Sequence, residues 1–296
     1  MAMSLSELRK QRGSFESLQK EVEKLSNKPQ SSDDRFWYPE TDQAGNGSAV
    51  IRFLPAPKGE DFPWVRQWSH GFKAPTGKWF MEKCPTTLGN SCPVCERNGE
   101  LYNTGLESDK KLAGERKRKL TYITNILVVS DPKNPQNEGK VFLFRFGKKI
   151  FDKIKDIMNP EFDDETPTNP FDFWEGANFK LKIRRFEGYQ NYDKSEFAGT
   201  SAIADDDDEI EAIWNKQYQL QEFLAPNLYK PYDELKKKMD QVLAGTSSGA
   251  KAEDFDTYVK PDSEPKKEEK KVESKKPAVV DEDDDENYFA ALAAED

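Results

Sequence analysis

The chain has 296 residues, a formal net charge of −10, 34% charged residues and only 35% hydrophobic ones, a composition too polar for a chain folded throughout. No apolar run approaches the ~18 residues of a membrane helix, and the N-terminus lacks the apolar core of a signal peptide, so neither a membrane protein nor a secreted one is expected. The charge is uneven: residues 1–200 carry 32 Lys and Arg against 29 Asp and Glu, whereas residues 201–296 carry 13 against 26, so a mildly basic body precedes an acidic tail and the total does not argue against a polyanionic partner.

Residues 4–25 read as an amphipathic helix, with Leu5, Leu8, Leu18, Val22 and Leu25 at helical spacing and Ser4 with Glu7 as a capping box. Arg9, Lys10 and Arg12 cluster just before Gly13, either as a solvated face or as an arm that docks on another surface. A polar linker follows, and the folded body is expected from Phe36. Ala49-Val50-Ile51-Arg52-Phe53-Leu54 is a strand that ends at Pro55, and residues 64–70 and 78–81 are short strands around the turn Pro75-Thr76-Gly77. Residues 71–79 have a passing likeness to a phosphate loop, but the glycine spacing is one residue too long and Trp79 stands where the Mg²⁺-binding hydroxyl belongs.

The organising stretch runs from His70 to Cys95. It holds the chain's one histidine and all three cysteines, His70, Cys84, Cys92 and Cys95, the last two as a C-x-x-C pair. Zn²⁺ favours four tetrahedral nitrogen and sulfur ligands, and a two-residue gap lets one turn present both thiolates to one ion, so one structural zinc is expected. An odd cysteine count without a secretory signal argues against disulfides. Zinc deaminases pair H-x-E with P-C-x-x-C; here Phe72 and Ser91 stand at the glutamate and first proline positions, and four protein ligands leave no place for a reactive water.

After the cluster, Leu101-Tyr102-Asn103 leads to the most basic run, Arg116-Lys117-Arg118-Lys119, which enters a β-branched strand over residues 120–129. A turn at residues 131–139 precedes a second strand, Val141 to Phe146, followed by Lys148, Lys149 and a short helix over residues 150–158. Residues 159–173 read as a loop, and residues 178–186 as another alternating strand. Helices are expected over residues 210–223, behind the acidic cap at residues 205–208, and over residues 231–243. Beyond Gly245 the composition is that of a disordered tail, which closes with eight acids and no base in residues 281–296. The expected fold is mainly β with helical elaborations: a barrel carrying a zinc-binding insertion and a disordered acidic C-terminal tail.

No catalytic constellation stands out, because the one histidine is committed to the metal. The informative signal is basic residues interleaved with aromatics: Arg52 beside Phe53; the Arg116 to Lys119 run with Tyr122; Phe144, Arg145, Phe146, Lys148 and Lys149; Arg184, Arg185, Phe186, Tyr189 and Tyr192. A groove of that chemistry binds single-stranded nucleic acid, with cations on the phosphates and rings stacked on bases at about 1–3 kcal/mol each. Tyr102, Tyr122, Tyr189 and Tyr192 rank above the phenylalanines, which a strand must partly bury. The acidic tail is expected to compete with DNA for that groove and, once displaced, to recruit other proteins.

The wording of several stretches resembles the single-stranded DNA-binding, helix-destabilising proteins of T-even-type bacteriophages: Val50-Ile51-Arg52-Phe53-Leu54-Pro55, His70-Gly71-Phe72-Lys73, Ser91-Cys92-Pro93-Val94-Cys95, Arg145-Phe146-Gly147-Lys148-Lys149 and Trp174-Glu175-Gly176-Ala177-Asn178-Phe179, in order over about residues 42–200. The resemblance implies an OB-fold, a five-stranded barrel, with a zinc subdomain at about residues 64–110 inside a core of residues 31–245. It implies cooperative coating of single strands in phage replication, recombination and repair, in the cytoplasm of an infected bacterium. It also implies self-association through residues 1–30 with Arg9, Lys10 and Arg12, and recruitment of a polymerase, a helicase loader and a recombinase mediator through residues 246–296. His70, Cys84, Cys92 and Cys95 match the zinc ligands, and Arg52, Tyr102, Arg118, Tyr122, Arg145 and Tyr192 match the binding cleft. The family's Lys/Arg-Ser/Thr motif is only partly present, in Arg9-Lys10-Gln11-Arg12. The competing readings are an RNA-binding translational regulator and a zinc-dependent nucleic-acid enzyme.

Overall fold

The computed structural model describes residues 33–162, 164–186 and 189–244. The expected N-terminal helix with Arg9, Lys10 and Arg12, and the acidic tail at 246–296, lie outside the described residues. One antiparallel sheet of eight strands organises the rest: β1 Gly47–Phe53, β2 Trp64–Lys73, β3 Trp79–Lys83, β4 Lys119–Ser130, β5 Val141–Phe146, β6 Ala177–Phe186, β7 Tyr189–Asn191 and β8 Glu196–Thr200. Five helices accompany it: α1 Pro93–Asn103 and α2 Glu107–Arg116 between β3 and β4, α3 Lys148–Met158 after β5, then α4 Asp207–Asn215 and α5 Tyr232–Ala244.

The 12-residue β4 is the hub. Its residues 119–124 pair with β2 and its residues 126–130 with β1. Residues 122–127 meet β5 on the other edge. Two strands in series along one edge of a third force the sheet to curl, as does the register shift between Val50 and Ile51. Inside the curl, Ile51 and Phe53 of β1, Ile126 and Val128 of β4, Phe144 and Phe146 of β5 and Phe179 and Leu181 of β6 form the main core, closed by Ile150 and Ile154 of α3. Phe53 is wholly buried and touches the rings of Phe146, Phe171, Phe179 and Phe197. Truncating such a ring to alanine costs about 3–5 kcal/mol.

β4 is apolar on both faces because both are covered. Ile123 and Leu127 point away from the main core, into satellite clusters built with Leu220 and Phe223 and with Ile210 and Ile213. The expected helix over residues 210–223 stops at Asn215 for the same reason. The Asn125 side chain donates to the Tyr218 carbonyl and accepts its N–H, each at 2.9 Å, and Glu60 accepts the N–H groups of Leu220 and Gln221. Those bonds hold the segment against the sheet and compete with a continued helix. Six of the eight strands are those read from the sequence; the short β7 and β8 were passed over, as were α1 and α2 between Cys84 and Lys119.

Candidate metal centre and nucleic-acid interface

His70 comes from β2. Cys84 follows β3 and caps a 3-10 turn, Pro85–Leu88. Cys92 is the N-cap of α1 with Pro93 at its first position, and Cys95 stands in the first turn. The C-x-x-C pair thus sits at a helix N-terminus, whose dipole favours thiolates. All four side chains are buried, and their ligand atoms lie within 4.8 Å of one another. His70 Nε2 is 3.5 Å from Cys92 Sγ and 3.4 Å from Cys95 Sγ, and Cys84 Sγ is 3.6 Å from Cys95 Sγ. Tetrahedral bonds of about 2.0–2.3 Å give edges of about 3.3–3.8 Å, so the group fits one ion of zinc type.

The surroundings fit it as well. His70 Nδ1 lies 3.1 Å from the Arg116 carbonyl; a carbonyl only accepts, so Nδ1 carries the proton and Nε2 turns its lone pair to the sulfurs. Without an ion, burial opposes charge on the imidazole but the sulfurs of Cys84 and Cys92 outweigh it and raise His70 to about 9, so a metal bound at Nε2 displaces that proton. Contacts with Cys92 and Cys95 push the Cys84 thiol down, and contacts with Cys84 and Cys92 push the Cys95 thiol up. Thiols this close need a cation among them before all can ionise, and a divalent metal supplies it.

The cluster also gathers distant chain. Leu235, Met239 and Val242 of α5 pack with Phe72, Phe80, Val94 and the three cysteines. Lys230 and Lys238 both pair with Glu82 of β3, and the Thr76 hydroxyl donates to the Val242 carbonyl at 2.9 Å. Packing around the cluster thus takes in a helix about 140 residues further along the chain than Cys95.

The β2 face that carries His70 continues toward the curl with Trp64, Arg66 and Trp68, opposite Thr124, Tyr122 and Leu120 of β4. Arg66 is exposed between two half-buried indoles. Phe62 lies 6.5 Å from Trp64, Phe151 of α3 packs edge-on to Trp64 at 5.6 Å and stacks on Tyr122 at 4.0 Å, and Arg118 sits 4.1 Å above the Trp68 ring. Lys148 and Lys149 stand exposed at the start of α3. This is a contiguous row of rings with cations between them, suited to stacking and phosphate contact together. Strand alternation over Trp64, Arg66 and Trp68 was legible in the sequence, yet these residues, with Phe62 and Phe151, went unmarked as a site.

The other expected contacts are dispersed. Arg118 belongs to the row, whereas Tyr122, expected to stack on bases, is buried beneath it in the main core with Phe146 stacked on it. Phe144 and Phe146, expected among the DNA-binding residues though ranked below the tyrosines, are buried in the core. Arg145 pairs in register with Ile123 and so emerges on the opposite sheet face, 4.2 Å from the Phe36 ring. Lys119 lies across from Ser69 on that same face. There Lys83 is lowered by burial and by Arg145. Arg116 is buried over Phe72, and burial lowers it too; Lys117 is exposed. Tyr102 is half-buried on the last turn of α1, and Tyr189 is exposed on β7. Tyr192 packs against the main core, and burial raises its phenol.

Arg52 departs furthest from expectation. It has no exposed surface, and its Nη2 donates to the carbonyls of Asp172 and Ser201 at 2.9 and 2.7 Å. Burial lowers it, against the opposing pull of Asp172. In this geometry the guanidinium ties down the loop whose Phe171 lies 5.2 Å from Trp64.

Fold and site together define a mainly β protein with a four-ligand metal knuckle beside a face of rings and cations. The chain belongs to the family described as gp32 DNA binding protein like, which it matches over residues 45–243. It is 44% identical over 229 residues to the single-stranded DNA-binding protein of Enterobacteria phage T2, a match covering 75% of this chain and 74% of that protein. It is 44% identical over 234 residues to the protein of the same name from Enterobacteria phage T4, covering 76% of each. The resemblance read from the sequence motifs is borne out.

Proposed function

We propose that this chain is a sequence-nonspecific single-stranded DNA-binding protein that coats strands cooperatively and removes their secondary structure during phage replication, recombination and repair. The observation that carries the reading is Arg66 set between Trp64 and Trp68 on one strand face, with Arg118 over the second indole; the names of the phage relatives support it. Successive residues of that face stand about 6.6–6.8 Å apart, and rings with cations between them suit a strand whose bases are unstacked. A duplex hides its base faces, so binding draws it toward single strands by mass action.

Within this proposal β1, β2, β4, β5 and β6 form an OB-type barrel to which β3, β7 and β8 are additions, and one structural zinc joins His70, Cys84, Cys92 and Cys95. Residues 1–30 with Arg9, Lys10 and Arg12 mediate self-association, residues 31–245 bind DNA, and residues 246–296 recruit the polymerase, helicase loader and recombinase mediator in the cytoplasm of the infected host. Among the described residues no helix is long and apolar enough to cross a membrane.

A salt titration against poly(dT), the matching RNA and a duplex tests the reading. Sigmoidal poly(dT) binding that weakens steeply with salt, with little duplex affinity, is expected. Equal affinity for duplex, or turnover of any strand, refutes it, and preference for RNA moves the protein to translational control. Deleting residues 281–296 should tighten poly(dT) binding at low salt; an unchanged affinity there counts against tail competition.

A further inference from the structure

The short turn Pro85–Leu88 joins the metal cluster to the aromatic face. The Thr86 hydroxyl lies 3.0 Å from Cys84 Sγ and accepts an N–H of Arg118 at 2.6 Å. A guanidinium only donates, so the hydroxyl proton is left for the sulfur, and a metal-bound thiolate is the acceptor that suits it. Arg118 in turn sits over the Trp68 ring. The backbone of Trp68 is held by the same turn: its N–H donates to Thr87 Oγ1 at 2.9 Å, and its carbonyl accepts the Cys84 N–H at 2.8 Å. Ring and guanidinium are thus both anchored to residues 84–87, although Arg118 lies 32 residues from Thr86 in the chain.

We propose that Thr86 is a positioning residue that holds Arg118 over Trp68 and so couples the metal-bound Cys84 to the geometry of the DNA-binding face. This rests on the reading of that face given above. A surface arginine samples many rotamers and loses that freedom on binding. Held by the Thr86 hydroxyl on one side and the indole on the other, Arg118 is ordered before a phosphate arrives. The ion fixes Cys84, Cys84 and Arg118 together orient the hydroxyl, and the hydroxyl sets the guanidinium. The second link from the cluster runs parallel: His70 Nδ1–H and the Asn98 amide both donate to the carbonyl of Arg116, two residues before Arg118.

The test uses the full chain loaded with zinc, as parent, Thr86→Val and Thr86→Ser. Three quantities are read: zinc per chain, the NMR position of the Arg118 Nε–H resonance (assigned with Arg118→Lys), and poly(dT) affinity as a function of salt. Thr86→Val should retain zinc, return the Arg118 resonance toward that of a free arginine as the indole ring current is lost, and bind about 3–10-fold more weakly with a shallower salt slope. Thr86→Ser, which keeps the hydroxyl, should resemble the parent in all three. An unmoved Arg118 resonance in Thr86→Val overturns the proposal, and so does loss of zinc from that variant, which would make Thr86 a support of the cluster alone. A displaced resonance with unchanged poly(dT) binding overturns the coupling to DNA, whereas failure of the parent to bind poly(dT) overturns the reading of the face itself.

Discussion

Replacing Arg52 by methionine separates a scaffold role from a phosphate contact. Methionine keeps much of the aliphatic stem and removes the guanidinium, leaving the carbonyls of Asp172 and Ser201 without the donors that stand at 2.9 and 2.7 Å. A hydrogen bond to a charged group contributes about 1.5–3 kcal/mol, so the two losses amount to roughly 3–6 kcal/mol. Part is returned, because the buried cation no longer has to be desolvated and its Nε has no partner. A net loss of about 2–3 kcal/mol remains, which lowers Tm by about 5–10 °C for a body of this size. Close packing around the guanidinium supports the estimate: a Cβ added at Gly176 would come within 2.8 Å of Arg52 Nη2 and 2.3 Å of the Asp172 carbonyl. Thermal unfolding followed by circular dichroism gives the Tm, and poly(dT) binding over a salt series gives the slope, which should equal that of the parent. A Tm within 1 °C of the parent together with a salt slope reduced by about one would show that Arg52 reaches a phosphate and that the scaffold assignment is wrong.

Trp68→Ala should weaken poly(dT) binding by the ~1–3 kcal/mol of a lost stacking platform, and Arg66→Gln should weaken it while reducing the salt slope by about one; wild-type affinity in both would empty the row of its role. Removing the metal with a chelator should raise hydrogen exchange in α5 as well as in the knuckle, because Leu235, Met239 and Val242 share a core with the three cysteines; unchanged protection in residues 232–244 contradicts this. Asp33 is held below the usual carboxylate range by the side-chain hydrogen bond from Arg35, against a smaller burial effect. Its contribution is therefore present above about pH 4 and lost as pH falls through the depressed value. Asp33→Asn should accordingly lower Tm modestly at pH 7, by under about 1 kcal/mol for a pair this exposed, with the difference shrinking as pH falls below about 4. A Tm difference that persisted in acid would assign the effect to something other than the ionised carboxylate.

Much of the site was legible because short-range chemistry marks it. Confinement of His70, Cys84, Cys92 and Cys95 to one stretch named the four ligands, and the structure brings the same four together. Strand positions were legible where one face alternates, as in β6, whose residues from Ala177 read apolar and polar in turn. They were legible in β4 as a strand but not as faces, since Ile123 and Leu127 are as apolar as Ile126 and Val128 and enter different cores. Register decided the rest. The run Phe144, Arg145, Phe146 looks like one interleaved surface in the sequence, yet successive strand residues point to opposite sides, which sends Arg145 to Phe36 and leaves both phenylalanines inside.

The sequence by itself determined the candidate metal ligands, the family, the basic body with its acidic tail and the presence of most strands, because each follows from residue type or from short-range spacing. Only the tertiary structure decided that Arg52 is buried beneath the Phe171 loop, that α5 packs on the cysteine cluster and that Arg118 reaches Thr86 while lying over Trp68. Those outcomes depend on which distant segments cover which strand face, and burial of that kind is fixed by packing between segments that carry no mutual signature along the chain.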